Sequence, residues 1–367
     1  MRLVLAVMLV LCGFAASFAA PRDLPKELLP LWNSMTLDEK VGQMIMVYMS
    51  PPNFVIENKF GGVLVMNPHL SNLNLFVRNL ANIRSRAKVP LLVTIDQEGG
   101  DVNRAKNIDR KWEKTPSAKE MRDMEPDVVF KLSNEIGKTL HDVGFNLNLA
   151  PVLDPPTDIH DKVTHIERWG RCWGDTSNVE KVRAFVKAMK GNGIASASKH
   201  FPGYDSETNS DLHEARSDAP EGKIREYTEF FRLLAPDVPI IMMSSVIYES
   251  VSGAPAVFEP KFVKMAHDID DDIVVLTDDL WGTNLRSWIS GPEAAKKEPY
   301  PASEFRKVVK AALDAGNDMF MITFPAKAVE IRKLLVEMAG SDKQVLARIE
   351  KSCARILKMK YRAGLLK

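Results

Sequence analysis

Residues 90–96 read PLLVTID, and the chain continues as Gln97-Glu98-Gly99-Gly100. A short run of apolar and β-branched residues reads as a strand buried on both faces. The Gly-Gly pair marks a tight turn from that strand into a loop. Seven further runs share its character: QMIMVYM (43–49), GGVLVM (61–66), FNLNLAP (145–151), ASASKHF (195–201), PIIMMSSV (239–246), DIVVLTDD (272–279) and DMFMITF (318–324). Amphipathic segments such as NLNLFVRNLANIRSRA, NVEKVRAFVKAMKGNG and SEFRKVVKAALDAG lie between them. Thr36-Leu37-Asp38-Glu39 has capping-box spacing and should start a helix leading into the first strand.

Strands alternating with helices imply a parallel sheet, and eight repeats fit an α/β fold of the (β/α)8 TIM-barrel type in a single domain. A doubly wound open sheet also alternates, but usually with fewer strands and a Gly-rich fingerprint after the first, and the chain has no GxGxxG. The length of 367 residues and the 45% hydrophobic content are ample for such a core. A formal net charge of +1 with scattered Lys and Arg gives no footprint for nucleic acid.

The first residues, MRLVLAVMLVLCGFAASFAAPRD, read as an export signal over residues 1–20, with the barrel occupying residues 21–367. Arg2 is the charged start, Leu3 to Phe14 the apolar stretch, and the small residues before Pro21 a cleavage site. An uncleaved anchor would need about 18 unbroken apolar residues, so no stable membrane insertion is expected after cleavage. A lipoprotein would want a small residue where Leu11 precedes Cys12. The expected location is periplasmic or extracellular. Export leaves Cys172 and Cys353 in the mature chain, where an oxidising compartment permits a bridge, but a core thiol at each site is the simpler reading. No CxxC or HExxH pattern supports a metal site.

A barrel expects its chemistry where strands end and βα loops begin. Four polar clusters fall there: Asp96 to Gly100, Lys199-His200, the loop beyond it, and Thr277-Asp278-Asp279. Adjacent strand residues face opposite ways, so one of Asp278 and Asp279 can enter the mouth while the other caps or pairs outside it. A carboxylate there serves either as an ion-pair partner or as the nucleophile of a retaining glycosidase. Asp211 and His213 project to one side if their backbone is extended, and the acid then orients the imidazole for proton transfer; the plainer alternative is a solvated loop. Buried Lys199 needs a carboxylate or a polar ligand, and Asp96 and Glu98 are the candidates. The remaining histidines, 69, 141, 160, 165 and 267, carry no assigned role.

Together these motifs resemble glycoside hydrolase family 3, in its single-domain β-N-acetylhexosaminidase branch. The pieces run in the family's order from GGVLVMN through PLLVTIDQEGGDVNR, GFNLNLAPVLD, GRCWGD, ASASKHFPG, the Asp-Leu-His loop and VVLTDDL to ALDAGNDM and ILKMKYRAGLL. The resemblance implies that Asp278 is the nucleophile, His213 the acid/base and Asp211 its orienting partner. It implies that Asp96, Arg104, Arg171, Lys199 and His200 hold the sugar, without metal or organic cofactor. About forty residues follow the eighth run, so the proton donor is expected within the barrel loops, on a mobile lid carrying Asp211 and His213. The implied activity is retaining exo-hydrolysis of terminal β-linked N-acetylglucosamine from peptidoglycan fragments or related oligosaccharides. A β-glucosidase, transglycosylase or phosphorylase on the same scaffold, or an inactive carbohydrate-binding relative, are the alternatives. The chain departs from the family pattern at Asp101, at Tyr204-Asp205, at Cys172-Trp173, and by one extra residue before Asp211.

Overall fold

The computed structural model describes residues 20–366; the segment read as an export signal lies outside the described residues, apart from Ala20. Eight parallel strands close into a barrel: β1 (Ile45–Tyr48), β2 (Gly62–Val65), β3 (Leu92–Ile95), β4 (Leu147–Asn148), β5 (Ala195–Phe201), β6 (Ile240–Met243), β7 (Val274–Asp279) and β8 (Met319–Ile322). Each pairs with its chain neighbours, and β8 returns to β1 with Ile45 opposite Phe320. Every one of the eight apolar runs contains one strand.

The helices expected from the amphipathic segments form at Leu73–Arg86, Val179–Gly191 and Ala302–Ala315. The capping box closes as its spacing requires: the Glu39 amide donates to Thr36 Oγ1 at 3.2 Å, and the Thr36 amide to Glu39 Oε2 at 2.7 Å, ahead of helix Leu37–Gln43. Strand β4 is shorter than its apolar run because asparagine side chains take over as hydrogen-bonding partners. Asn146 Oδ1 accepts from the Val93 amide at 2.7 Å, and Asn148 exchanges hydrogen bonds with the Gln97 backbone at 2.9 Å. Cys172 and Cys353 are both buried free thiols. No helix among the described residues is long and apolar enough to cross a membrane.

The end of the barrel away from the loops is closed by the last helix, Lys343–Arg362. Lys360 on it is fully buried, and its Nζ donates to Gln43 Oε1 at 2.8 Å, Gly61 O at 2.9 Å and Pro90 O at 2.8 Å. One ammonium thus ties the helix to the segments entering β1, β2 and β3. No carboxylate pairs with it among the described residues, and burial pushes its pKa down to about 7.

A lysine whose pKa is about 7 folded and about 10.4 unfolded binds fewer protons in the native state between those values. Stability therefore rises with pH across that window. Urea unfolding from pH 7 to 9 should show this slope reduced in Lys360→Met. That variant should also lose about 2 kcal/mol at pH 9, because three acceptors lose their donor.

Candidate active site

The loops at the C-terminal ends of the strands surround a cavity of about 490 Å3. Asp96, Arg104, Arg171, Lys199, His200, Asp211 and Asp278 all line it. Residues at the ends of β2 to β8 meet there, and the segments that carry these seven side chains belong to or follow β3, β4, β5 and β7. After β3, Gly99 and Gly100 adopt φ of 99° and 54°, and a Cβ on Gly99 would sit 2.1 Å from Pro116 O, so the tight turn requires glycine. Gln97 Oε1 then accepts from the amides of Arg104 at 2.8 Å and Ala105 at 2.7 Å, which fixes the stretch that presents Arg104. Asp101 is exposed and does not line the cavity, so its charge lies off the site.

Glu98 is the electrostatic centre of one wall. Arg171 grips it with Nε to Oε2 and Nη2 to Oε1, both at 2.8 Å, and Lys199 Nζ lies 2.7 Å from Oε1. Lys199 also donates to Asp96 Oδ1 at 2.8 Å. Burial alone would raise the Glu98 carboxyl, but the charges of Arg171 and Lys199 outweigh it and hold the group well below the usual carboxylate range. Lys199 is held above its usual value for the reciprocal reason: Asp96 and Glu98 overcome its burial.

Asp154, which is fully buried, organises the next segment. Its Oδ1 accepts the His200 amide at 2.9 Å and the Tyr204 amide at 2.7 Å, and its Oδ2 lies 2.7 Å from His200 Nδ1. That pairing leaves His200 Nε2 as the imidazole nitrogen not held by Asp154.

Asp278 and Asp279 both border the cavity but differ in their bonding. Asp279 accepts from the amides of Trp281 and Thr323, each at 3.0 Å, and from the Thr323 hydroxyl. It is the structural member of the pair. Among the described residues, Asp278 accepts only the Asp279 amide, at 2.8 Å. Burial pushes its carboxyl up to about 6; nearby His200 opposes that shift, and the charge of Asp211 adds to it.

The loop after β5 departs from expectation. Asn209 closes a turn in which its carbonyl accepts from the amides of Leu212 at 3.2 Å and His213 at 3.0 Å. Its Oδ1 also accepts the Asp211 amide at 2.9 Å. In a turn, residues two apart do not share a side as they do in extended backbone. Asp211 accordingly borders the cavity, while His213 is exposed and absent from its lining. The loop roots are buried: the Tyr204 hydroxyl accepts from the Ser210 amide at 2.7 Å and donates to Thr208 O, and Ser217 Oγ donates to Asp205 Oδ2 at 2.7 Å.

Several lining or supporting residues were not assigned from sequence. His165, to which the sequence motifs assign no role, borders the cavity, and burial together with the charge of Arg171 holds it below its ordinary pKa. Asp154, Trp281 and Arg286 follow strand ends by a few residues, so the barrel-rim rule was the available signal for them. Among the described residues no group of three or more His, Cys, Asp or Glu side chains is placed to hold a metal.

The sequence model of the glycosyl hydrolase family 3 N terminal domain matches residues 36–359. A β-hexosaminidase of Alkalilimnicola ehrlichii is 26% identical over 289 residues, covering 72% of this chain and 77% of that protein. A β-hexosaminidase of Bordetella pertussis is 27% identical over 304 residues, covering 75% and 84%. Among solved structures, a β-N-acetylhexosaminidase from Beutenbergia cavernae superposes with a TM-score of 0.74 at 22% identity, over 89% of this chain and 99% of that one. LpqI of M. tuberculosis gives a TM-score of 0.75 at 22% identity, over 93% and 98%. These two likenesses concern the fold.

Replacing Glu98 by Gln removes the shared counter-charge of two buried cations. Denaturant unfolding should register a loss of about 3 kcal/mol, the range typical of a broken buried pair. A loss below about 1 kcal/mol would mean that Asp96 and solvent suffice to balance Lys199 and Arg171.

Proposed function

The chain belongs to glycosyl hydrolase family 3 and is a glycosidase, and from that premise we propose that it is an exported, retaining exo-β-N-acetylglucosaminidase. The observation that carries this reading is the state of Asp278, a part-buried carboxylate on the cavity wall with one amide donor and no ion-pair partner among the described residues. Such a group is available to attack carbon, whereas its neighbour Asp279 is committed to three donors.

In the proposed reaction, a carboxylate oxygen of Asp278 forms a bond to the anomeric carbon as the bond to the leaving oxygen breaks. Protonated His213 gives its proton to that oxygen, and the aglycone departs. His213, now neutral, takes a proton from water, whose oxygen attacks the anomeric carbon and releases Asp278. Two inversions at one carbon retain its configuration. Asp211 orients His213 through its carboxylate. Asp96, Arg104, Arg171, Lys199 and His200 hold the sugar hydroxyls and the N-acetyl group, with Glu98 keeping two of those cations in place.

His213 reaches the site by movement of the exposed loop tip, residues 211–214. The buried contacts of Tyr204, Asp205 and Ser217 on either side support hinges at those points, and the exposed Leu212, 63% accessible, supports a tip free to travel. The leader of residues 1–20 supports export, with peptidoglycan fragments or chitin-type oligosaccharides as substrates met outside the cytoplasm.

Asp278→Ala should abolish turnover of an aryl N-acetylglucosaminide while shifting Tm by less than about 5 °C. A 2-deoxy-2-fluoro glycoside should label Asp278 in the wild-type protein; labelling elsewhere would remove it as nucleophile. The panel should include aryl glucoside and added phosphate, since faster release with either one points to a β-glucosidase or a phosphorylase.

A pH profile offers a second test. The nucleophile must be ionised, and its pKa is pushed up to about 6, so kcat/KM should fall tenfold per unit of pH below that point. An acid limb near 4 would place the limiting group elsewhere.

A further inference from the structure

Among the described residues two imidazoles border the cavity, those of His165 and His200, whereas His213 stands outside it. His200 is engaged: its Nδ1 lies 2.7 Å from Asp154 Oδ2, and its amide donates to the same carboxylate. His165 differs, because its backbone is held while its ring is not. Its amide donates to Ser206 O at 2.9 Å, and the Thr164 hydroxyl before it donates to Pro155 O at 3.0 Å and accepts the Glu167 amide at 3.2 Å. The ring lies 6.4 Å from that of Tyr204 and makes no side-chain hydrogen bond among the described residues. A positioned imidazole with open nitrogens in a cavity is available for proton transfer.

The charged groups around His165 are Arg171 and Arg168 from its own loop, His200 on β5 and Asp211 on the loop after β5. Burial first, and then Arg171, favour the neutral ring, while Asp211 opposes them. A neutral imidazole is a base at rest. Asp211 would stabilise the imidazolium formed when that base takes a proton, and the two arginines would drive the proton on to solvent, which the half-buried side chain can reach.

The retaining reaction has a step that suits such a group. Once the aglycone has left, the sugar remains bonded to Asp278, and the attacking water must lose a proton. Departure of the aglycone requires the tip that carries His213 to open, and with that tip outside the cavity His165 is still on the wall.

We infer that His165 is a second general base for hydrolysis of the glycosyl-enzyme, serving while the His213 tip is open. A ring nitrogen of His165 takes one proton of the water, and the water oxygen bonds to the anomeric carbon. The bond from that carbon to Asp278 breaks, and its electron pair returns to the carboxylate. The imidazolium then gives its proton to solvent. This rests on the retaining reading above and adds a catalytic residue to its second step.

The 2-deoxy-2-fluoro glycosyl-enzyme, freed of excess reagent, isolates this step, because only loss of the sugar from Asp278 restores activity. Reactivation should be at least tenfold slower in His165→Ala than in wild-type protein. Azide, a nucleophile with no proton to lose, should restore the rate in that variant and release a glycosyl azide. His165→Gln, which keeps the bulk of the side chain, should show the same slowing with Tm shifted by less than about 5 °C. His213→Ala should also slow the step, and the double variant should be slower than either single one. Reactivation of His165→Ala within twofold of wild type would overturn the inference and leave His213 as the base. A loss that azide does not restore would overturn it too, leaving His165 a packing residue. If wild-type protein hydrolyses an aryl N-acetylglucosaminide yet takes no label on Asp278, the assignment of the nucleophile fails, and the inference falls with it.

Discussion

One buried carboxylate holds the catalytic face of this barrel together. Glu98 leaves the end of β3, yet its two oxygens are occupied by Arg171 from the loop after β4 and by Lys199 from β5. Three adjacent segments are therefore registered by one group rather than by apolar packing, which is sparse at a wet rim. The arrangement is stable only as a set, because removing any member leaves another charge buried without its partner. Asp154 repeats the device one step along: it binds the backbone at His200 and at Tyr204, so the position of the imidazole and the root of the β5 loop are set by the same carboxylate.

This economy explains why the loop after β5 combines fixed ends with an exposed tip. Tyr204 and Asp205, two of the positions at which the chain departs from the family pattern, are both buried and both hydrogen-bonded. They hold the first part of the loop against the barrel. Beyond Ser210, whose amide donates to the Tyr204 hydroxyl, Asp211 to His213 are exposed and lie in the Asn209 turn. Exposure is thereby confined to a few residues at the tip, while Lys199 and His200 stay buried on β5.

The barrel is legible in the sequence because each strand of a parallel sheet is buried on both faces and is mostly apolar. Eight short runs of that kind have few other interpretations. The rim positions Asp96, Lys199, His200 and Asp278 are legible by the same logic, since charge at the end of an apolar strand stands out. What escapes is whatever depends on backbone conformation within loops. The side to which His213 points is decided by an Asn209 turn, and a sequence period of two misleads there. Asp154, His165 and Arg286 escape for another reason: single polar residues in polar loops have no periodicity, and only the closed barrel brings them to the mouth.

The two acids Glu98 and Asp278 border one cavity, and their environments drive them apart. Glu98 is held far down by two cations, so it is charged at any pH where the protein works, and its lone pairs are engaged. Asp278 has no such partner among the described residues, and burial raises it to about 6. A carboxylate with that history is a better nucleophile than one stabilised by salt bridges, because less of its negative charge is already spent on hydrogen bonds. It is also close enough to neutrality to ionise fully under mild conditions. Division of labour between carboxylates thus follows from the cations placed beside β3 to β5 and withheld from Asp278. Arg286, which follows β7, is turned toward Trp281 rather than paired with Asp278, so it does not neutralise that carboxylate.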